Sequence, residues 1–333
     1  MKRKMRKRSV IIVAAVVLVL AVVFAGPACA AEKKFFTIVT SATIGNYYQV
    51  AAIMAQSFAD RVPEVGVTVE VSQGSVANAK MLGNREAESA IMQNNIAYAA
   101  YNGVDQFEGK PVKNLRAVAS LYPELIQMVA RADSGIKTVM GIRGKRLLPG
   151  DRGGGSEIDA LRVLAAHGMT YKDIGSVDYL PITGCVQRLQ DKQADVMSLT
   201  TGAPAPGISE LALSTDIVLI PIGEEKIKEL TQKFSYYSRN VIPKGTYKGM
   251  GQDVATIGVT AQWVVDEQVP EDLVYKLTKA LWEKDKDGLS TADAVAKVHA
   301  KGKDMQLKTA LIGMVIPLHP GAARYYKEKN LIQ

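Results

Sequence analysis

The chain has 333 residues, 47% of them hydrophobic, and carries 41 Lys+Arg against 33 Asp+Glu, a formal net charge of +8. Six of the basic residues (Lys2, Arg3, Lys4, Arg6, Lys7 and Arg8) stand in the first eight positions, and the first 30 residues hold no acid. Without that segment the balance is 35 basic to 33 acidic residues, so the basic character is no argument for a nucleic-acid partner.

The charged start runs into an unbroken apolar stretch, Val10 to Ala25, and then into Ala28-Cys29-Ala30, a small-x-small cleavage pattern. This predicts a secretory signal over residues 1–30, cut after Ala30, and a periplasmic location. The 16 apolar residues reach about 24 Å as a helix, short of the ~30 Å bilayer core. Lipidation at Cys29 ranks below simple cleavage, because Gly26 stands where a lipobox has Leu. After cleavage Cys185 is the one cysteine left, which excludes an internal disulfide framework and suits a buried small hydrophobe. The 303 residues that remain suit two domains.

Phe35 to Val39 is a predicted strand that enters the small, hydroxylated turn Thr40-Ser41-Ala42-Thr43-Ile44-Gly45-Asn46. A helix follows, with Val50, Met54 and Phe58 on one stripe, ending at Pro63. Such a turn aims N–H groups and hydroxyls at one point beyond the strand, a place for an anion or zwitterion; the alternative is an ordinary turn capped by Thr43 or Asn46. The pattern recurs. The strand Val67 to Val71 ends in Ser72-Gln73-Gly74-Ser75, with Ser75 as predicted N-cap. Glu88 to Met92 ends in Gln93-Asn94-Asn95, and a helix follows. Leu115 to Leu121 and Leu125 to Arg131 are two strand-like runs split by Tyr122-Pro123-Glu124.

Ile136 to Ile142 predicts a short helix and Lys145 to Leu148 a strand, followed by the glycine-rich turn Pro149 to Ser156. The next helix carries Ile158, Leu161, Leu164 and Ala165 on one face, and Gly168 closes it. Tyr179 to Ile182 is a predicted strand and Gly184 to Gln190 a helix. Ala194 to Leu199 is a strand ending in Thr200 to Pro206, which opens another helix. A strand (Ile217 to Ile222), a helix (Glu225 to Phe234), a Pro/Gly-rich passage and the strand Ile257 to Val265 follow, and the remainder is helical. Short strands alternating with helices predict an α/β fold with mostly parallel sheets. The crossing runs divide it into lobe 1 (31–125 and 257–333) and an inserted lobe 2 (126–256). Ligands of such sheets sit outside the C-terminal strand ends, so the five turns line one cleft if the lobes face each other.

No catalytic set accompanies these turns. His167, His299 and His319 are scattered, no G-x-S-x-G elbow exists, and Ser156 occupies the Lys position of a Walker-type loop. The turns offer hydroxyls, amides and backbone N–H groups, and no general base. The sequence therefore predicts binding without chemistry, with no metal and no cofactor.

Several blocks resemble the TAXI-type solute receptors of tripartite ATP-independent periplasmic (TRAP) transporters. They are Thr40 to Tyr48, Gly74-Ser75-Val76-Ala77-Asn78, Gln93 to Tyr98 with Tyr101-Asn102-Gly103, Lys110 to Arg116 leading to Ala119 to Glu124, Gly202-Ala203-Pro204, and Leu318 to Tyr326. The resemblance implies a two-lobed periplasmic-binding fold (type II) joined by hinge crossings that closes on its ligand. It implies a carboxylate ligand such as glutamate or a related dicarboxylate, and delivery to small and large permease subunits, or a fusion of them, driven by an ion gradient. The ligand-binding candidates are then Thr40, Ser41, Thr43, Asn46, Tyr47, Tyr48, Gln73, Gly74, Ser75, Val76, Gln93, Asn94, Asn95, Arg152, Gly154, Gly155, Ser156, Thr201 and Pro204. Relative to that family Asn95 replaces a frequent Asp, Gly154 replaces a Ser, and Arg152 is additional. A neutral Asn95 and an Arg152 clamp would favour an anionic ligand; Arg152 pointing to solvent is the open alternative. The competing readings are an ABC-type binding protein on the same fold and an exported enzyme or adhesin on a similar scaffold.

Overall fold

The computed structural model describes residues 34–333. The signal segment, its cleavage site and Cys29 lie outside the described residues. Strand–helix units open the chain: β1 (Lys34–Val39) leads into α1 (Asn46–Arg61), β2 (Val65–Glu70) into α2 (Ser75–Gly83), and β3 (Ser89–Gln93) into α3 (Asn94–Asn102). Val50, Met54 and Phe58 recur every four residues and all are fully buried, so α1 packs through one stripe. Thr43 and Asn46 do not cap α1, and Ser75 does not cap α2. The N-cap positions are Gly45 and Gly74, neither with a side-chain bond. Gly74 has φ +89°, a conformation that strains any larger residue.

Leu115–Arg131 is one 17-residue strand, β4, rather than two runs split at Tyr122-Pro123-Glu124. Pro123 faces solvent, and a register shift beside it, between Ala261 and Gln262 of the partner strand, gives the local irregularity that admits a proline into a paired strand. The second series follows: β5 (Arg146–Leu148), α4 (Gly155–Ala166), β6 (Ser176–Val177), α5 (Ile182–Gln190), β7 (Val196–Thr201), α6 (Pro206–Ser214), β8 (Ile217–Ile220) and α7 (Glu224–Lys233). Two local expectations change. Tyr179 to Ile182 forms no strand, because Pro181 serves as the N-cap of α5, and the turn at Val139–Ile142 is a 3-10 helix. Then come β9 (Ser238–Ile242), β10 (Val254–Asp266), α8 (Glu271–Trp282), α9 (Thr291–Val298) and α10 (Pro320–Glu328).

Among the described residues the strands form a 10-stranded sheet in the order β2-β1-β3-β10-β4-β7-β5-β6, with β8 on β4 and β9 on β10. The short strands run parallel (β1 with β3, β5 with β6 and β7), as crossover helices require. The long strands β4 and β10 run antiparallel to each other and to their neighbours. The first part of β4 pairs with β10, and its last part, Leu125 to Arg131, pairs with β7 and β8.

Buried side chains follow the same division. Residues up to Tyr122 and from Ala261 onward fill two clusters, one built on Trp263 stacked 5.3 Å from Phe58. Leu125 to Val259 fill the other two. The result is an α/β protein of two lobes whose cores change over at Tyr122–Leu125 on β4 and at Val259–Ala261 on β10.

Candidate functional site

Each parallel strand delivers its C-terminal end to a helix start, and residues of five such turns line one cavity. Ser41, Ala42, Gly45, Asn46 and Tyr47 come from the β1–α1 turn, and Ser72, Gln73, Gly74 and Ser75 from the β2–α2 turn. Gln93 closes β3. Gly150, Asp151, Gly154, Gly155 and Ser156 come from the β5–α4 turn, and Leu199, Thr200 and Thr201 from the end of β7. Glu124 enters from the middle of β4 and Ile182 from the start of α5. The cavity holds ≈ 130 Å³, near the size that encloses a benzene ring.

Two serines do the same work in the two lobes. Ser75 Oγ accepts the Gln93 N–H at 3.0 Å, and Ser156 Oγ accepts the Thr200 N–H at 3.0 Å. Each therefore ties the start of a helix to the end of the neighbouring strand and keeps its own hydroxyl proton for another partner. Direct bonds also cross between the lobes. Asn46 Nδ2 donates to Thr201 Oγ1 at 3.1 Å, and Lys301 Nζ donates to the Ala203 carbonyl at 2.7 Å. Arg162 pairs with Asp105 at 2.6 Å. Asp159 is the buried centre of this contact. It accepts from Asn95 Nδ2 at 2.8 Å and Gln93 Nε2 at 3.4 Å on one side, and from Thr200 Oγ1 at 2.7 Å and the Tyr237 hydroxyl on the other. Burial raises its pKa to about 6 in spite of those donors.

Close approach of the lobes requires glycine at two places. A Cβ at Gly155 would lie 1.7 Å from Gln93 Oε1, and one at Gly202 would lie 2.4 Å from Lys301 Cδ.

Of the sequence-derived candidates, Ser41, Asn46, Tyr47, Gln73, Gly74, Ser75, Gln93, Gly154, Gly155, Ser156 and Thr201 border the cavity. The others are placed elsewhere. Thr40 is fully buried and donates to the Glu70 carbonyl at 2.7 Å, Val76 packs in a core cluster, and Asn94 donates to the Gly313 carbonyl at 3.1 Å. Asn95 serves Asp159. Thr43 and Pro204 are exposed, and Tyr48 stands off the cavity, partly covered. Arg152 is exposed and lies over the Tyr179 ring at 4.1 Å, outside the residues that line the cavity.

Glu124 is the residue that turn-based reasoning misses. It is 2% exposed, and the Tyr47 hydroxyl donates to it at 2.5 Å. Burial pushes its carboxyl up to about 8, with the Tyr47 bond and Lys301 acting in the opposite direction and Asp159 adding to the rise. The turns supply one acid that burial raises, Asp151, and the strand crossing beneath them supplies the more strongly perturbed one. A buried Glu between two apolar runs, immediately after a proline, was the available signal. Cys185 is fully buried, its thiol pushed up to about 12 by burial, and has no part in the cavity. His319 and His299 accept backbone N–H groups at helix starts. No group of three His, Cys, Asp or Glu able to hold a metal occurs among the described residues. No helix among them is long and apolar enough to cross a membrane.

A model of the NMT1-like family matches residues 38–329, nearly the whole described chain. The chain belongs to the NMT1-like family. Its fold is that of periplasmic solute-binding proteins. This NMT1-like protein is similar to the periplasmic binding protein BugD (14% identity, TM-score 0.55, covering 90% of this chain and 98% of that one). It is similar to PhnD1 from Prochlorococcus marinus in complex with methylphosphonate (9% identity, TM-score 0.53, 90% and 99%). It is also similar to the alkanesulfonate-binding protein SsuA from Xanthomonas axonopodis pv. citri bound to MOPS (17% identity, TM-score 0.50, 91% and 96%). At such identities the likeness to these structures is one of fold. Among the described residues, Glu124 and Asp151 are the charged side chains that border the cleft, and no Lys, Arg or His does.

Proposed function

We propose that the protein is an extracytoplasmic receptor that captures a small polar solute between its lobes and hands it to a membrane transporter. The observation that carries this reading is that strand-end turns of both lobes line one cavity together with Asn46 and Gln93, whose buried amide oxygens have no hydrogen-bond partner. Buried polar atoms are usually paired, and these two stand on residues that line the cavity, where a ligand can pair them. The lobes are taken as residues 31–125 with 257–333 and residues 126–256, turning about β4 and β10, with the cross-cleft bonds of Asn46, Gln93, Asn95 and Lys301 made on closing. The leader over residues 1–30 supports a periplasmic location.

Ion-gradient transport through a TRAP permease rests on the TAXI-like blocks alone. A second reading, delivery to an ATP-driven permease, is favoured by a fold neighbour described as the binding component of an ABC phosphonate transporter from Pseudomonas aeruginosa (TM-score 0.51, 10% identity). The genes beside this one separate the two: a large multi-span permease without an ATPase supports the first. Glutamate or another dicarboxylate, implied by the same resemblance, would meet Glu124 and Asp151 with no lining Lys, Arg or His among the described residues to offset them.

Calorimetry on the mature chain, stripped of co-purified ligand, against amino acids, amines, and mono- and dicarboxylates tests the receptor reading. Saturable binding with a smaller radius of gyration in solution scattering is expected. Turnover of the bound solute, or an unchanged radius at saturation, overturns it.

A further inference from the structure

Side-chain acceptors without a protein partner stand on residues that line the cavity. Asn46 Nδ2 donates to Thr201 Oγ1 and, at 3.4 Å, to the Gly202 carbonyl, which has no proton to give. That fixes the amide and leaves Oδ1 as the free atom. Gln93 is fixed in the same way by the carboxylate of Asp159, leaving Oε1 free. These side chains are 3% and 2% exposed. Glu124 adds a third acceptor. Tyr47 occupies its Oε2, and Oε1 receives no protein hydrogen bond among those of the described residues. Three acceptors without a protein partner, on residues that line one cavity, match in number the three N–H bonds of a primary ammonium group.

The surrounding charges point the same way. Glu124 faces Tyr47 from α1, Tyr122 from its own strand, Asp159 from α4 and Lys301 from the 3-10 turn Ala300–Lys303. Asp151 borders the same cavity. Lys301 is committed to the Ala203 carbonyl and to Asp304 at 2.8 Å, so it does not reach the ligand space. Among the described residues no Lys, Arg or His side chain lines the cavity, so an anion would have only hydroxyls and the N–H groups of the helix starts to meet it.

Resting on the receptor reading, we propose that the cleft selects a small solute bearing a primary ammonium group, held by Glu124, Asn46 and Gln93, and rejects dicarboxylates. The volume restricts it to roughly the bulk of a six-membered ring. At neutral pH the buried Glu124 carboxyl holds a proton in the empty site. The incoming ammonium carries one positive charge, and Glu124 releases its proton to solvent, so the charge of the closed site is conserved.

The test is calorimetry on the stripped mature chain with 1,4-diaminobutane, ethanolamine and alanine against succinate and 2-oxoglutarate, in two buffers of different ionisation enthalpy. Mass spectrometry of the solute released on unfolding the freshly purified protein runs beside it. At least one amine is expected to bind at pH 7 with release of about one proton, and Glu124→Gln is expected to weaken it about 10- to 100-fold, the range for a hydrogen bond to a charged group. Should Glu124→Gln fail to fold, proton release by the unaltered protein still decides the matter. Binding of succinate or 2-oxoglutarate without any amine, an amine bound with no proton released, or a co-purified solute lacking an amine overturns the inference and leaves the receptor standing. No binding by either set or by a broad metabolite library, with no solute released, overturns both.

Discussion

Glu124→Gln gives the sharpest physical test in the absence of ligand. The side chain is 2% exposed, and burial raises its pKa from 4.5 to about 8. In the unfolded chain the proton leaves near the ordinary value, whereas in the folded chain it stays until about pH 8. Between these values the folded state binds more protons, so stability falls as pH rises. The contribution is fully present below about pH 4.5 and lost through pH 8. At about 1.4 kcal/mol per unit, the whole window is worth roughly 5 kcal/mol, and the part between pH 5.5 and 8 about 3 kcal/mol. Glutamine reproduces the protonated carboxyl and still accepts from Tyr47, but it does not titrate. Urea denaturation of both proteins from pH 5.5 to 8 should therefore give a variant that gains stability over wild type by about 3 kcal/mol across that range. Acids remote from Glu124 titrate in both proteins and cancel in the difference, whereas Asp159 is coupled to Glu124 and adds a smaller contribution of its own. Two parallel stability profiles would show that the Glu124 carboxyl is ionised and solvated, and would refute the reasoning.

Gly155→Ala places a Cβ against Gln93 Oε1 and should cost about 1–3 kcal/mol of overpacking or hold the lobes apart; a thermal shift or larger radius of gyration reports it, and unchanged values in both would mean the Gln93 amide moves freely. Ser75→Ala and Ser156→Ala each strand a backbone N–H at a strand end, and each should lower stability and ligand affinity by roughly 0.5–2 kcal/mol in denaturation and calorimetry. Arg152→Ala should leave affinity within about twofold, since the guanidinium stacks on Tyr179 outside the cavity. A loss beyond tenfold would place Arg152 on the ligand instead.

Much of the architecture was legible because it is local. Val50, Met54 and Phe58 announce a buried helical stripe by spacing alone. Ser41 to Asn46, Gln73 to Ser75 and Gly150 to Ser156 are turns because small, hydroxylated and glycine residues interrupt apolar runs. Within those turns the sequence did not say which atoms face inward. Thr40 and Ser41 are neighbours of the same chemistry, yet Thr40 bonds to the Glu70 carbonyl and Ser41 borders the cavity. The identities of the caps were missed for a similar reason. Ser75 suits a cap, but in the folded chain its oxygen is taken by the Gln93 N–H, 18 residues away in sequence.

The sequence by itself determined most of the succession of strand, turn and helix, because periodicity and turn chemistry act over a few residues. The tertiary structure alone decided the charge of the cleft. Carrying β4 unbroken past Pro123 brings Glu124 beneath Tyr47, and the stacking of Arg152 on Tyr179 takes its guanidinium away from the cavity. Both depend on elements far apart along the chain that meet only when the sheet is assembled, and burial there, rather than residue type, sets the chemistry a ligand encounters.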